Sequence, residues 1–352
     1  MATIEPYDTK AGRRYRVIYR RPDGKQTSKR GFTTKRDAEQ WSAKNTVDIM
    51  TGAYVAPAAG RRLFSDVAAD WAGSQHHLAP STTARYRHIG DQLTEKFGHL
   101  PLSKVTRPLL RSYVAELVDD RTPAETIHKT VGVLRRILAL AVEDGRLAVN
   151  PAEGLRLPPI VATEMRFLDL EQLRALAEAA GPDQATIWTL GVCGLRMGEL
   201  VGLQHQDVDR SAGVLHIVRS VTIVNSKLTV GPPKNGKRRA VPLPSFVAEQ
   251  LPAGIGESPV FPSPTGGLIR HNNWRRRVFD PAVKRVGLEL HPHELRHTAA
   301  SLAIAAGANV KAVQAMLGHA RASITLDRYG HLYPADVEAI TSTLNTLLMP
   351  ST

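Results

Sequence analysis

His293, Glu294 and His297 stand in the order H-E-x-x-H. On a helix this spacing puts two imidazoles on one face, where they can hold a zinc ion while the carboxylate acts as a base. Two features of the sequence oppose that reading. The longer form H-E-x-x-H-x-x-G-x-x-H fails, with Ala300 and Ala303 where the glycine and third histidine would be. Arg296, three residues after His293, shares its helical face, and a guanidinium that keeps its proton repels a divalent cation. The same pair suits an anion instead. Arginine forks two N–H groups onto phosphate oxygens, and histidine can move a proton. No metal is expected here.

Four other stretches supply residues of the same kind. GLRMGELVGL places Arg196 just after Gly194 at the start of a short helix, with Glu199 one turn on. PPKNGKRRAVPLP places Lys234 in a glycine-containing turn between strand-like runs, with Lys237 as its rival. MLGHA puts His319 after Gly318 at a helix end, and LDRYGHL puts Tyr329 ten residues further on, with Tyr333 as the other phenol nearby. Each alone has a plain structural account: a surface arginine, one cation in a basic run, a helix-ending histidine, a packing aromatic. As a set they are candidates for one phosphate-directed site.

The elements that must position them fall into three segments. In residues 1–60, YRVIY alternates like a strand, Pro22-Asp23-Gly24 marks a turn, and KRDAEQWSAKNTVDIM reads as a helix started by Thr33 or Thr34. This segment carries 12 Lys and Arg against 6 Asp and Glu, so a small β-β-β-α module with a basic sheet is expected over 1–58. YVAPAAGRR reads as a linker. From 63 to 155 the period is helical, with Ser81 and Thr106 or Pro108 as expected helix starts and Gly145 as a stop. After NPAEGLRLPPIVATEM a third segment, 165–352, opens on a helix capped near Asp169. VLHIVRSVTIV, KLTV and RRAVPLP then predict one small antiparallel sheet before helices return near Asn272. The fold class is therefore multidomain and mainly α with small β-sheets.

Composition narrows the partner. The 46 Lys and Arg exceed 33 Asp and Glu, a net charge of +13, which favours a polyanion, nucleic acid before an anionic membrane. Arg16, Arg20, Arg21 and Lys29 are the candidate DNA-binding residues of the first segment. One cysteine, Cys193, excludes an internal disulfide and a multi-cysteine zinc site. No signal-like segment and no long apolar run are present, so the expected location is the cytoplasm, on DNA.

Taken in order, these motifs resemble those of the tyrosine recombinase family, the phage integrases. The family pattern is an Arg in G-L-R-x-x-E-L, a Lys in a β-turn, H-x-x-R, a later G-H and a nucleophilic Tyr. The matching residues are Arg196 with Glu199, Lys234, His293 with Arg296, His319 and Tyr329, across about 165–332. Lys234 is preferred to Lys237 because it precedes the turn, as the family's lysine does. One departure is the ten steps from His319 to Tyr329, where many members have nine; a loop is expected to absorb the extra residue. The resemblance implies an α+β catalytic domain, a helical core-binding domain over 63–155 and an arm-type DNA-binding module before it. It implies cutting and rejoining through a 3′-phosphotyrosine on Tyr329, with Arg196 and Arg296 stabilising charge, His293 assisting the tyrosine proton, Lys234 protonating the leaving oxygen and His319 donating to the phosphate. Glu199 would orient its neighbours. No cofactor is implied. Double-stranded DNA with core and arm attachment sites and a homotetramer on that DNA are implied as partners, with room for a host DNA-bending protein and an excision factor, and with no membrane. A type IB topoisomerase and a catalytically inactive DNA-binding protein are the alternatives.

Overall fold

A computed structural model of the chain describes residues 2–52, 54–56, 59–161, 165–234, 236–333, 341, 344–346 and 348. The tail ADVEAITSTLNTLLM, residues 335–349, has the apolar spacing of an amphipathic helix in its sequence and lies mostly outside them. The chain forms two compact units, residues 1–162 and 163–352.

The first unit opens with three antiparallel strands in the order β1-β2-β3: β1 (Thr3–Thr9), β2 (Gly12–Arg20) and β3 (Gln26–Phe32). Helix α1 (Lys35–Met50) follows, its first turn capped by Thr34, whose hydroxyl accepts from the Asp37 amide at 3.1 Å. Alternation along β2 buries Val17 and Tyr19, and Tyr19 meets Trp41 of α1 edge-on. Arg14, Arg16, Ile18 and Arg20 therefore share the opposite face, joined by Arg30, which stands across from Arg16.

Four helices complete the unit: α2 (Phe64–Gly73), α3 (Pro80–Phe97), α4 (Arg107–Asp119) and α5 (Ala124–Glu143). Ile127, Val131, Leu134, Leu138 and Ala141 of α5 recur at helical spacing, and all are buried in the bundle core. Ser81 is not the cap of α3. The helix starts one residue earlier, at Pro80, because a proline in the first turn gives up an N–H that has no helical partner there.

The second unit begins with α6 (Leu170–Ala179), where Asp169 and Gln172 form a reciprocal capping box. Helix α7 (Gln184–Cys193) is apolar on every side and runs through the core, and α8 (Met197–Val201) follows it. Two small sheets replace the single one expected. β4 (Val208–Asp209), β5 (Val214–Ile217) and β8 (Arg239–Pro242) form one, and β6 (Ser220–Val224) with β7 (Lys227–Gly231) forms a separate hairpin. The break falls at Val218-Arg219, where Arg219 turns away to the carboxylate of Asp207 and the carbonyl of Gly202. The remaining helices are α9 (Ser245–Gln250), α10 (His271–Trp274), α11 (Asp280–Arg285), α12 (Glu294–Ala305), α13 (Val310–Leu317) and α14 (Ala322–Tyr329). Ala320 and Arg321 connect His319 to α14, which ends at Tyr329.

Candidate active site

The site is built on three chain turns. Helix α7 ends at Gly194 with φ 69°, a left-handed residue that also lets Met316 and Leu317 approach to 3.1 Å of where a Cβ would lie. That turn leads through Leu195 to Arg196, immediately before α8. Helix α13 ends likewise at Gly318, φ 61°, and leads to His319. His293 immediately precedes α12, and Arg296 lies in the first turn of that helix.

Arg296 is only 3% exposed. Its Nη1 donates to the Gly194 carbonyl at 2.5 Å and its Nη2 to the Leu317 carbonyl. These are carbonyls at the C-terminal ends of α7 and α13, which carry partial negative charge and lack helical partners. Burial, then the neighbouring Arg196, lowers the Arg296 pKa to about 9, so it stays charged at neutral pH. Its other N–H groups are left for a ligand.

Glu199 is 1% exposed and fully engaged. It accepts from the Arg196 amide and Nη1, both at 2.9 Å, and from Arg239 Nη1 and Nη2 at 2.9 and 2.7 Å. Burial works to raise its pKa, but the Arg239 and Arg196 bonds reverse this and hold it at about 2. Arg239 also donates from Nε to the Met316 carbonyl at 2.9 Å. It thus ties the Arg196 turn to the turn that carries His319. Sequence reasoning missed Arg239, which was hidden in the basic run of β8; a charged residue on an inward position of a strand was the available signal.

Arg196, Lys234, His293, Arg296, His319 and Arg328 line one cavity of about 310 Å³, with Gly318, Ala320 and Ile324 completing it. Five of the six expected catalytic side chains therefore converge, and Lys234 lines the cavity whereas Lys237 does not. Arg328 is an additional cation that the motif reading did not single out. His293 is lowered by burial and then by Arg296. His319, which shares a 2.9 Å hydrogen bond between Nδ1 and the Thr325 hydroxyl, is pushed down to about 4 by burial and then Arg296. Both imidazoles are neutral near pH 7.

Tyr329 is placed differently. It ends α14, is 1% exposed and does not line the cavity. Its ring packs with Ala300, Ile304, Val313 and Leu317, and its hydroxyl shares a 2.6 Å hydrogen bond with His297 Nδ1. Burial raises its pKa, while Arg296 and Arg328 pull the other way. The hydroxyl oxygen of Tyr333, a half-buried residue, has no hydrogen-bond partner among the described residues. Of the histidine pair that suggested zinc, His297 is bonded to Tyr329 and His293 lines the cavity, and the described residues contain no group of three His, Cys, Asp or Glu side chains able to hold a metal.

The sequence profiles of known families agree with this arrangement. The one described as "Phage integrase family" matches residues 166–336, and "Phage integrase central domain" matches 64–157. The chain belongs to the phage integrase family. As a tyrosine recombinase of that family it is an enzyme of DNA strand breakage and rejoining. The tyrosine recombinase XerC of Xylella fastidiosa (strain 9a5c) is 28% identical over 239 residues, covering 64% of this chain and 76% of the relative. XerC of Pelobacter propionicus is 29% identical over 283 residues, covering 74% and 87%. Among solved structures, the Tn1549 transposon integrase with circular intermediate DNA superposes with a TM-score of 0.69 at 18% identity, over 81% of this chain and 99% of that one. A lambda integrase tetramer bound to a Holliday junction gives 0.61 at 18% identity, over 90% and 96%. These likenesses show that the recombinase shares the integrase fold. No helix among its described residues is long and apolar enough to cross a membrane.

The four basic residues proposed for the first segment do not form one patch. Arg16 and Arg20 share the open face of the sheet, but Arg16 is paired with Glu5 at 2.7 Å. Arg21 lies beyond the end of β2 and pairs with Asp23 at 2.8 Å. Lys29 stands opposite Val17, on the helix-covered side, although it is exposed. Arg14 and Arg30 belong with Arg16 and Arg20, and strand alternation carried that signal.

Proposed function

We propose that the protein is a site-specific integrase of a mobile element, phage or prophage, which integrates and excises DNA at attachment sites. The observation that carries the reading is the single cavity holding Arg196, Lys234, His293, Arg296 and His319. Its size and charge suit one phosphodiester. The Tyr329 oxygen attacks phosphorus and the bond from phosphorus to the 5′-oxygen breaks. The product is a 3′-phosphotyrosine; His293 helps to take up the phenol proton, and Lys234 gives a proton to the departing 5′-oxygen, which leaves as a hydroxyl. Arg196 and Arg296 stabilise the charge that builds on the non-bridging oxygens, His319 donates a hydrogen bond to them, and His293 assists proton movement at the same phosphate. Glu199, held by two guanidiniums, orients Arg196 rather than reacting. Rejoining reverses the step, so no external energy source is required.

Residues 63–155 serve as the core-binding domain and 1–58 as the arm-binding module, with Arg14, Arg20 and Arg30 of its open sheet face as DNA contacts. The active assembly is a homotetramer on two duplexes, with a DNA-bending protein and an excision factor as further partners. Core-site DNA carrying a nick near the point of cleavage tests the chemistry. A covalent protein–DNA adduct should form with the wild type and vanish in Tyr329→Phe; an adduct that persists rejects the nucleophile. A second reading, a XerC-like recombinase, is favoured by the relatives. Removal of residues 1–58 separates the two, because strand exchange between attachment sites should be lost for an arm-binding integrase and retained for the other.

A further inference from the structure

The nucleophile proposed above is sealed inside the protein. Ile324 and Arg328 of α14 line the anion cavity, but Tyr329 at the end of the same helix does not, and at 1% exposure its oxygen cannot meet a phosphate where it lies. Instead the hydroxyl sits 2.6 Å from Nδ1 of His297, with the two rings 5.7 Å apart. His297 and Arg296 are consecutive residues of α12, so they project in directions about 100° apart. One side chain faces the cavity and the other faces the cluster that holds the phenol.

We propose that His297 is the positioning residue of the nucleophile: its Nδ1 docks the Tyr329 phenol in a buried resting place, from which the oxygen is released before it attacks. The proposal rests on the reading of Tyr329 as the nucleophile. The chemistry of the pair suits the task. Burial, then His293, Arg328 and Arg296, lower the His297 pKa to about 4, so the ring is neutral at pH 7 and one nitrogen is free to accept. Burial raises the pKa of Tyr329, so the phenol keeps the proton it donates. A neutral pair of this kind holds by one hydrogen bond and can be parted without leaving a buried charge. Helix α14 has eight residues and runs from Ala322 to Tyr329, ending against Gly330, so a short element has to move and not a domain.

The test uses the full-length chain and tetranitromethane, with nitration at each tyrosine followed by mass spectrometry. His297→Phe keeps the ring and removes the acceptor; His297→Asn keeps an acceptor near the Nδ1 position. Tyr329 should nitrate about fivefold faster in His297→Phe, the equal of ~1 kcal/mol for one hydrogen bond, while Tyr19 and Tyr113 are unchanged. His297→Asn should return it to within about twofold of wild type. At saturating nicked DNA the first-order cleavage rate of His297→Phe should rise by a similar factor. No rise in Tyr329 nitration, an equal rise in His297→Asn, or an unchanged or lower cleavage rate overturns the proposal. If His297→Phe does not fold, histidine ring-15N spectra of the wild type and Tyr329→Phe decide instead. The Nδ1 resonance of His297 must shift when the phenol hydroxyl is lost, and an unmoved resonance rejects the docking bond. Nitration and ring spectra do not depend on strand cleavage, so a failure here is distinct from an adduct that survives Tyr329→Phe.

Discussion

Replacing Arg239 by methionine isolates the support beneath Arg196. The substitution keeps most of the volume and removes two of the four hydrogen bonds that Glu199 accepts, together with the link to the Met316 carbonyl. Glu199 is held at about 2 against an ordinary 4.5. That shift corresponds to about 3 kcal/mol favouring the folded carboxylate at neutral pH. The Arg239 bonds are the largest of the effects that lower it, so their loss should cost about 2 kcal/mol, within the span expected when one partner of a buried pair is removed. For a unit of this size the melting temperature should fall by roughly 4–8 °C at pH 7. The sign with pH is fixed. A carboxylate whose folded pKa is depressed stabilises above its unfolded pKa, and that contribution is lost as pH falls through the folded one. The gap between wild type and variant should therefore be full at pH 7 and shrink between pH 4.5 and 2. Adding Glu199→Gln to Arg239→Met removes the stranded charge and should recover at least half of the loss. Differential scanning calorimetry measures all three proteins. A melting temperature within about 2 °C of wild type, or a double variant no more stable than the single one, would refute the account of this network.

Three further outcomes follow from the same geometry. Arg196→Lys loses the forked donor and should slow single-turnover cleavage by about 10²–10³-fold, with DNA affinity within about threefold of wild type; an equal loss in binding would assign Arg196 to DNA capture instead. Burial and nearby arginines lower His293 and hold His297 and His319 at about 4, so the cleavage rate should show no step from His297 or His319 between pH 6 and 8. An inflection near pH 6.5 that disappears in His319→Asn contradicts this. Arg20→Ala with Arg30→Ala in the full chain should weaken arm-site binding and flatten its dependence on log salt by about 2, as read by fluorescence anisotropy; an unchanged slope places the DNA elsewhere.

The cavity was legible in the sequence because its members sit beside residues that mark turns. Gly194, Gly318 and the start of α12 announce where a chain reverses or a helix begins, and chemistry-bearing residues next to such marks can be ordered along the chain. What lies between strands and helices in space was not legible. Nothing local pairs Arg239 with Glu199, forty residues earlier, or His297 with Tyr329, thirty-two residues later. The single expected sheet became two at Val218-Arg219, where Arg219 bonds to Asp207 and Gly202, partners that lie outside the run itself. The cap of α3 moved because Pro80 fits a first turn as well as Ser81 fits a cap. On the first segment, charge density pointed to DNA but not to a face; the alternation that buries Val17 and Tyr19 separates Arg20 from Lys29.

Arg296 is anchored by main-chain oxygens of Gly194 and Leu317 and, among the described residues, by no side-chain acceptor. Substitution can delete a carboxylate, but every residue brings the same carbonyl. The grip on this guanidinium therefore depends on the path of the backbone at the two helix ends, which at Gly194 needs a residue that tolerates the left-handed conformation. A scan of single alanines would register strain at Gly194 and lost packing at Leu317, yet neither change removes the carbonyl that does the holding.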